Sequence, residues 1–237
     1  MRRDVLDLRE FYAGPLGQAA REMVRRKVAE AWGGLSGLDV LAFGYATPFL
    51  DSLTAGAQRV IAAMPAQQGV EAWPLGARNA AALVDETALP FPSALFDRVL
   101  AVHALEESDA PLALLTELGR VLAPAGRLIL VVASRHGLWT NAEQSPFGHG
   151  RPFSRRQLEA LVREAELEPA GWTRALYAPP FGWAARWAEG FEQVGARLWS
   201  PLAGLMLMEA QKQTLAVRAI PVRRPARVFA PGALRPA

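Results

Sequence analysis

From residue 5 to residue 32 apolar side chains return every three or four positions (Leu8, Phe11, Tyr12, Leu16, Ala19, Ala20, Met23, Val24, Val28, Trp32), the spacing of one helical face. Gly14-Pro15 interrupts the series, so the pattern predicts two helical pieces that end at Gly33-Gly34. Beyond that point the pattern changes to short, unbroken apolar runs at 38–43, 58–64, 81–84, 96–102 and 127–132. Runs of this length, closed by Gly, Pro or acidic residues, predict strands buried on both faces, as in a parallel sheet. Helical spacing returns at 111–122, with Leu112, Leu115, Leu118 and Val121 on one face, and a shorter helix is expected from Pro48 to about Ala55. Ser154-Arg-Arg-Gln157 has the form of a capping box and opens a further helix with Leu158, Leu161, Val162 and Ala165 as its buried stripe. Residues 172–177 and 205–210 complete a set of seven strands, with an aromatic-rich helical insertion at about 181–199 between them. Strand–helix alternation of this kind predicts an α/β fold: a Rossmann-like, doubly wound, mostly parallel seven-stranded sheet with helices on both faces.

The chain divides into an N-terminal helical segment (1–34), the α/β domain (35–217) and a tail (218–237). At 237 residues it is long enough to bury roughly 70% of its unfolded surface, so a full core is available. The start, Met1-Arg-Arg-Asp-Val-Leu-Asp, places acids where a signal peptide needs apolar residues. No run reaches the ~18 apolar residues that span a bilayer. The expectation is a cytoplasmic protein. The absence of cysteine excludes disulfides and thiolate metal sites. Arginine displaces lysine almost everywhere (only Lys27 and Lys212 remain), and alanine abounds, which reads as a GC-rich bacterial genome rather than as function. The net charge of +3 is concentrated at the end: Arg218, Arg223, Arg224, Arg227 and Arg235 stand without a single acid. That tail is expected to be a solvated, disordered segment or a contact for an anionic surface or a partner protein.

Two stretches carry more specific information. One is Val84-Asp-Glu-Thr-Ala-Leu-Pro-Phe-Pro92; the other joins Phe96-Asp-Arg-Val to Glu117-Leu-Gly-Arg-Val-Leu-Ala-Pro-Ala-Gly126. In this order and spacing they resemble the class I S-adenosylmethionine (SAM) methyltransferases of the small-molecule, quinone-biosynthesis type, over roughly residues 35–177. The resemblance implies SAM as cofactor, bound beyond the carboxyl ends of the strands at the switch in strand order. It implies cofactor contacts at Gly44, Tyr45 and Ala46 after the first strand, Met64 and Pro65 after the second, Asp85, Glu86 and Thr87 after the third, and His103 and Leu105 after the fourth. Asp85 would meet the adenine amino group, and Gly44 would let the backbone approach the ligand. Each has a plainer reading: Gly44 as a strand terminator, Asp85 as a turn residue, Leu105 as packing.

Two departures stand out. The family's first loop, acidic-x-Gly-x-Gly-x-Gly, is degenerate here, reading Ala42-Phe-Gly-Tyr-Ala-Thr-Pro48. Where the family holds the ribose with a carboxylate, this chain has Met64, followed by Pro65, Ala66, Gln67 and Gln68. Losing two charged hydrogen bonds of about 1.5–3 kcal/mol each weakens binding by a hundredfold or more. Gln67 or Gln68 are the candidates to restore part of that with their amides.

Methyl transfer from a sulfonium needs alignment above all, and a base only for a protonated acceptor. His103 is the candidate base, with a structural histidine as the equal alternative. His136, His149, Arg151 and Trp183 are the candidate acceptor contacts: Gly148-His-Gly-Arg151 has the composition of a loop that closes over a ligand, and Arg151 suits a carboxylate or phosphate. A connecting turn is the alternative there, and packing against the sheet is the alternative for the tryptophans. No metal-ligand spacing, phosphate loop or nucleophile elbow is present. Val102-His-Ala-Leu-Glu106 lacks the signature of methyltransferases acting on nucleic-acid bases, so nucleic acid is not expected as a partner. The expected function is SAM-dependent methylation of a small apolar or aromatic acceptor, with a non-catalytic regulatory or scaffolding role as the alternative.

Overall fold

A computed structural model describes residues 2–50, 52–142, 145–198 and 202–212. Two helices lead, α1 (Val5–Ala13) and α2 (Pro15–Trp32), divided at Gly14-Pro15 where a proline suits a first helical turn but not an interior. The strands are β1 (Asp39–Gly44), β2 (Arg59–Pro65), β3 (Ala81–Val84), β4 (Phe96–Val102), β5 (Leu122–Ala133), β6 (Leu167–Ala175) and β7 (Leu205–Lys212). They form one sheet in the order β3-β2-β1-β4-β5-β7-β6. β3 to β5 pair in parallel, and β7 runs antiparallel to both β5 and β6. The chain order reverses between β1 and β4, which makes the edge beyond Gly44 and Val102 the natural ligand crevice.

Both faces of the sheet are covered, which is why the strands read as unbroken apolar runs. Successive residues of β1 divide between two cores: Val40 and Ala42 join Val24 and Val28 of α2, while Leu41 and Phe43 join the opposite cluster. That second cluster holds Leu115 and Leu118 of α3 (Pro111–Val121) with Leu158 and Val162 of α4 (Arg155–Glu164). The capping box at Ser154 and Gln157 is formed at the start of α4.

Three expectations are corrected. The helix from Pro48 to about Ala55 is only a 3-10 turn, Thr47–Phe49. Pro48 at its start and Gly56 in the left-handed region close to it leave too little chain for an α-helix. β5 begins five residues early, running through Pro124-Ala-Gly126, because its first residue, Leu122, pairs with Phe96 before a register shift. β6 starts at Leu167, also five residues before the expected strand, because β7 pairs along its whole length. The crossovers β1–β2 and β2–β3 therefore carry no α-helix; α1 and α2 supply cover on that side from the N-terminus.

The aromatic insertion is helical as expected, a 3-10 stretch (Gly182–Trp187) followed by α5 (Ala188–Leu198). It packs against α2 and the end of β6, where Glu192 accepts hydrogen bonds from the amides of Leu176 and Tyr177. No helix among the described residues is long and apolar enough to cross a membrane. The basic tail lies outside the described residues.

Candidate active site

The two motif stretches first prove to be one structural device. Arg120 in α3 donates to the carbonyls of Leu89 and Phe91, both at 2.9 Å, and Glu117 accepts from the Leu89 amide at 2.8 Å. Glu117 and Arg120 also pair with each other at 2.8 Å. The Glu-x-x-Arg pair thus clamps the Leu-Pro-Phe loop, and it does so away from the crevice. Its planar fork satisfies two backbone carbonyls at once, which lysine cannot reproduce.

At the crevice itself, Gly44 has φ +73°, and a Cβ there would stand 2.2 Å from the carbonyl oxygen of Val102. The glycine is required by the close approach of β1 to β4, quite apart from any ligand. Tyr45, Ala46, Met64 and Pro65 are all buried. The third-strand acids are placed the opposite way from the expectation. Asp85 is exposed, and its Oδ1 holds the amide and hydroxyl of Thr87, itself exposed, at 2.8 and 2.7 Å. These bonds, the backbone one first, hold the Asp85 carboxyl below its ordinary pKa. Glu86 is the acid that turns inward, because side chains alternate at a strand end.

Glu86 is met by the chain's own N-terminus. The Arg2 guanidinium, buried with it, donates to Glu86 Oε2 at 2.5 Å and to the Ala104 carbonyl at 3.2 Å. Ser108 donates to the other Glu86 oxygen at 2.7 Å. The Arg3 amide donates to Glu107 at 2.7 Å, and the Val5 amide to the Gln68 carbonyl at 2.8 Å. Further on, Tyr12 stacks on Tyr45 with centroids 5.7 Å apart and shares a hydrogen bond of 2.7 Å with His103 Nε2. Residues 2–13 therefore form a strap across the ends of β1, β3 and β4.

Beneath the strap the electrostatics are those of a dry site. Burial, with Arg3 nearby, pulls the His103 pKa down to about 3. An imidazole held that low is neutral at all ordinary pH and a weak proton acceptor. Its φ of 52° is a strained backbone. Burial pushes the Glu106 carboxyl up to about 7, although the Ala133 amide donates to it at 2.9 Å. Burial raises the Tyr12 hydroxyl well above its ordinary value.

Of the acceptor-side candidates, His149 and Arg151 come to this cluster: His149 contacts Arg3, and Arg151 donates to the Ser108 carbonyl at 2.9 Å while its amide donates to the Glu106 carbonyl. His136 is exposed beyond β5. The side chain of Trp183 lies outside the described residues. Leu105 is buried in the core on the α3 side, a packing residue. Arg2, Tyr12, Glu106 and Glu107 were missed by sequence reasoning. The one available signal was the pair of carboxylates directly after the fourth strand, at the expected ligand edge.

These residues do not accommodate SAM in this arrangement. The places implied for it, at Tyr45, Met64 and beside Glu86, are filled by protein side chains. A cleft of about 490 Å3 does open next to Tyr45, between α1 and the 71–75 segment, but neither Asp85 nor His103 lines it. Several buried polar atoms under the strap nonetheless make no hydrogen bond: both amide atoms of Gln68, Arg2 Nη1, Glu106 Oε2 and Glu107 Oε1. Unsatisfied buried groups of this kind are uncommon in a finished core.

Comparison with known proteins finds a domain family similar to the central part of the chain. Residues 41–130 match the family described as "Methyltransferase domain". That stretch of the chain is similar to a methyltransferase domain. The match runs from β1 into β5 and contains Gly44, Met64, Glu86 and His103 of the crevice, while the strap, His149 and Arg151 lie outside it. Among solved structures, a SAM-dependent methyltransferase of Thermotoga maritima, a possible histamine N-methyltransferase, is similar with a TM-score of 0.60 at 17% identity, covering 88% of this chain and 96% of the other. A SAM-dependent methyltransferase of Mesorhizobium loti is similar with a TM-score of 0.59 at 11% identity, covering 79% and 96%. The [4+2]-cyclase SpnF reaches a TM-score of 0.60 at 22% identity, covering 83% and 82%. No curated protein matches by sequence. The fold is that of the class I methyltransferases. Likeness to a cyclase is a reminder that the fold alone does not name the reaction.

Proposed function

We propose that this protein is a SAM-dependent methyltransferase acting on a small, apolar or aromatic acceptor. The match of residues 41–130 to the methyltransferase domain carries the reading. The aromatic side chains of the crevice support an apolar acceptor: Tyr12 and Phe147 lie against His103, and Tyr45 and Phe49 against Tyr12. SAM, when bound, supplies an activated methyl group; the protein's part is then to hold the acceptor in line and keep water out. His149 and Arg151, beside the crevice, are proposed as acceptor-side residues, and the basic tail as a contact for an anionic surface or partner. A non-catalytic, scaffolding role draws on the filled crevice alone, and the domain match does not favour it.

The test is methyl transfer from isotopically labelled SAM to a panel of small phenols, quinols and aromatic amines, read by mass spectrometry. A labelled product is the expected result. Absence of product from every acceptor, with SAM also failing to bind any form of the protein, would leave the scaffold reading.

A further inference from the structure

The strap is not an ordinary helical cover. It inserts a guanidinium between the ends of β3 and β4, where the methyltransferase reading places the adenosyl group. We propose that residues 2–13 are a built-in competitor for the cofactor: the docked strap and SAM exclude each other, so the crevice opens only when Arg2 leaves Glu86. This inference rests on the methyltransferase reading and adds to it a self-occupied state.

Three observations carry it. The strap's anchors are polar and stand at the site itself: the buried Arg2 guanidinium on Glu86 and the Ala104 carbonyl, the Arg3 backbone amide on the half-buried Glu107, and buried Tyr12 on His103. A cover that merely closed over a cofactor would leave those groups to the ligand. The fit is also incomplete, since Gln68, Glu106, Glu107 and Arg2 each keep an unpartnered buried polar atom. Such a segment is held by a few strong contacts and can be replaced by a ligand that satisfies more of them. Finally, the buried ion pair of Arg2 with Glu86 fills the adenosyl place itself, so strap and ligand cannot share it.

The chain's lack of cysteine gives a clean test. A Cβ built on Gly69 stands 4.0 Å from Val5 Cβ, within disulfide range. Val5→Cys/Gly69→Cys in the full chain therefore locks the strap when oxidised and frees it when reduced; the reduced form also controls for strain from a cysteine at φ +84°. Titration with SAM in a calorimeter should show no binding to the oxidised form and restored binding on reduction. Arg2→Met, which removes the strap's main anchor and leaves Glu86 to the ligand, should bind at least tenfold more tightly than the natural protein. Hydrogen exchange at the Val5 amide, protected by Gln68, should quicken when SAM is added.

Equal binding to the oxidised and reduced forms, with the Val5 amide still protected, overturns the competitor and leaves the methyltransferase reading intact. Failure of SAM to bind any form, the reduced clamp and Arg2→Met included, overturns both.

Discussion

At the residue scale, burial rather than identity sets the chemistry of the crevice. Glu106 and His103 are buried on the same side and shifted in opposite directions, to about 7 and about 3. The neutral Glu106 contributes stability that is complete below about pH 4.5 and lost as pH rises to about 7. The neutral His103 contributes stability that is present above about pH 6.5 and lost as pH falls towards about 3. Between pH 4.5 and 6.5 the two slopes offset each other, so stability is nearly flat there and declines on both sides. Glu106→Gln removes the alkaline decline. Relative to the natural protein it should gain up to about 3 kcal/mol between acid and mildly alkaline solution. Urea unfolding at about pH 4 and about pH 8 reads this; an unchanged difference would show that Glu106 is solvated. Gly44→Ala should cost about 2–4 kcal/mol, because the new methyl meets the Val102 carbonyl and φ is positive. Its thermal midpoint measures the loss. Neither effect is visible in sequence. Gly44 was legible as a glycine the fold needs, but the partner of its missing side chain, a neighbouring strand, was not. Asp85 and Glu86 were legible as a pair, and only the direction of the chain at the end of β3 decided which acid faces in.

Elements were the most legible level. Hydrophobic period alone located α1, α2, α3, α4 and the five central strands to within a residue or two, except the start of β5. A period of 3.6 or a continuous apolar run reflects burial that each segment demands wherever it packs. The failures share a cause. The 3-10 turn after β1 and the early starts of β5 and β6 depend on partners distant in the chain, which local spacing does not contain. The Glu117–Arg120 clamp is an intermediate case: the motif was visible, while its work on the Leu89–Phe91 loop was not. Arg120→Lys keeps the charge and loses the fork, and should destabilise by about 1–3 kcal/mol. Calorimetric unfolding of this variant, with methyl transfer measured at a temperature where it remains folded, separates the two roles; unchanged activity is expected, since the clamp lies away from the crevice.

At the scale of the whole molecule, the N-terminal segment is part of the site. A double-mutant cycle tests this. Arg2→Met alone strands the buried Glu86 charge and should cost about 3–5 kcal/mol, whereas Arg2→Met/Glu86→Gln should recover most of that loss. Additive losses in denaturant unfolding would mean that the two residues do not share a buried pair. By itself the sequence determined the α/β class, the covered parallel strands and the likeness of the central region to a methyltransferase domain, because these follow from periodicity and from motifs of residues close together in the chain. Only the tertiary structure decided what fills the crevice. Arg2 and Glu86 stand 84 positions apart, Tyr12 and His103 91. No spacing rule couples such distant side chains: what brings them together is the path of the strap over the sheet, fixed by packing across the entire domain.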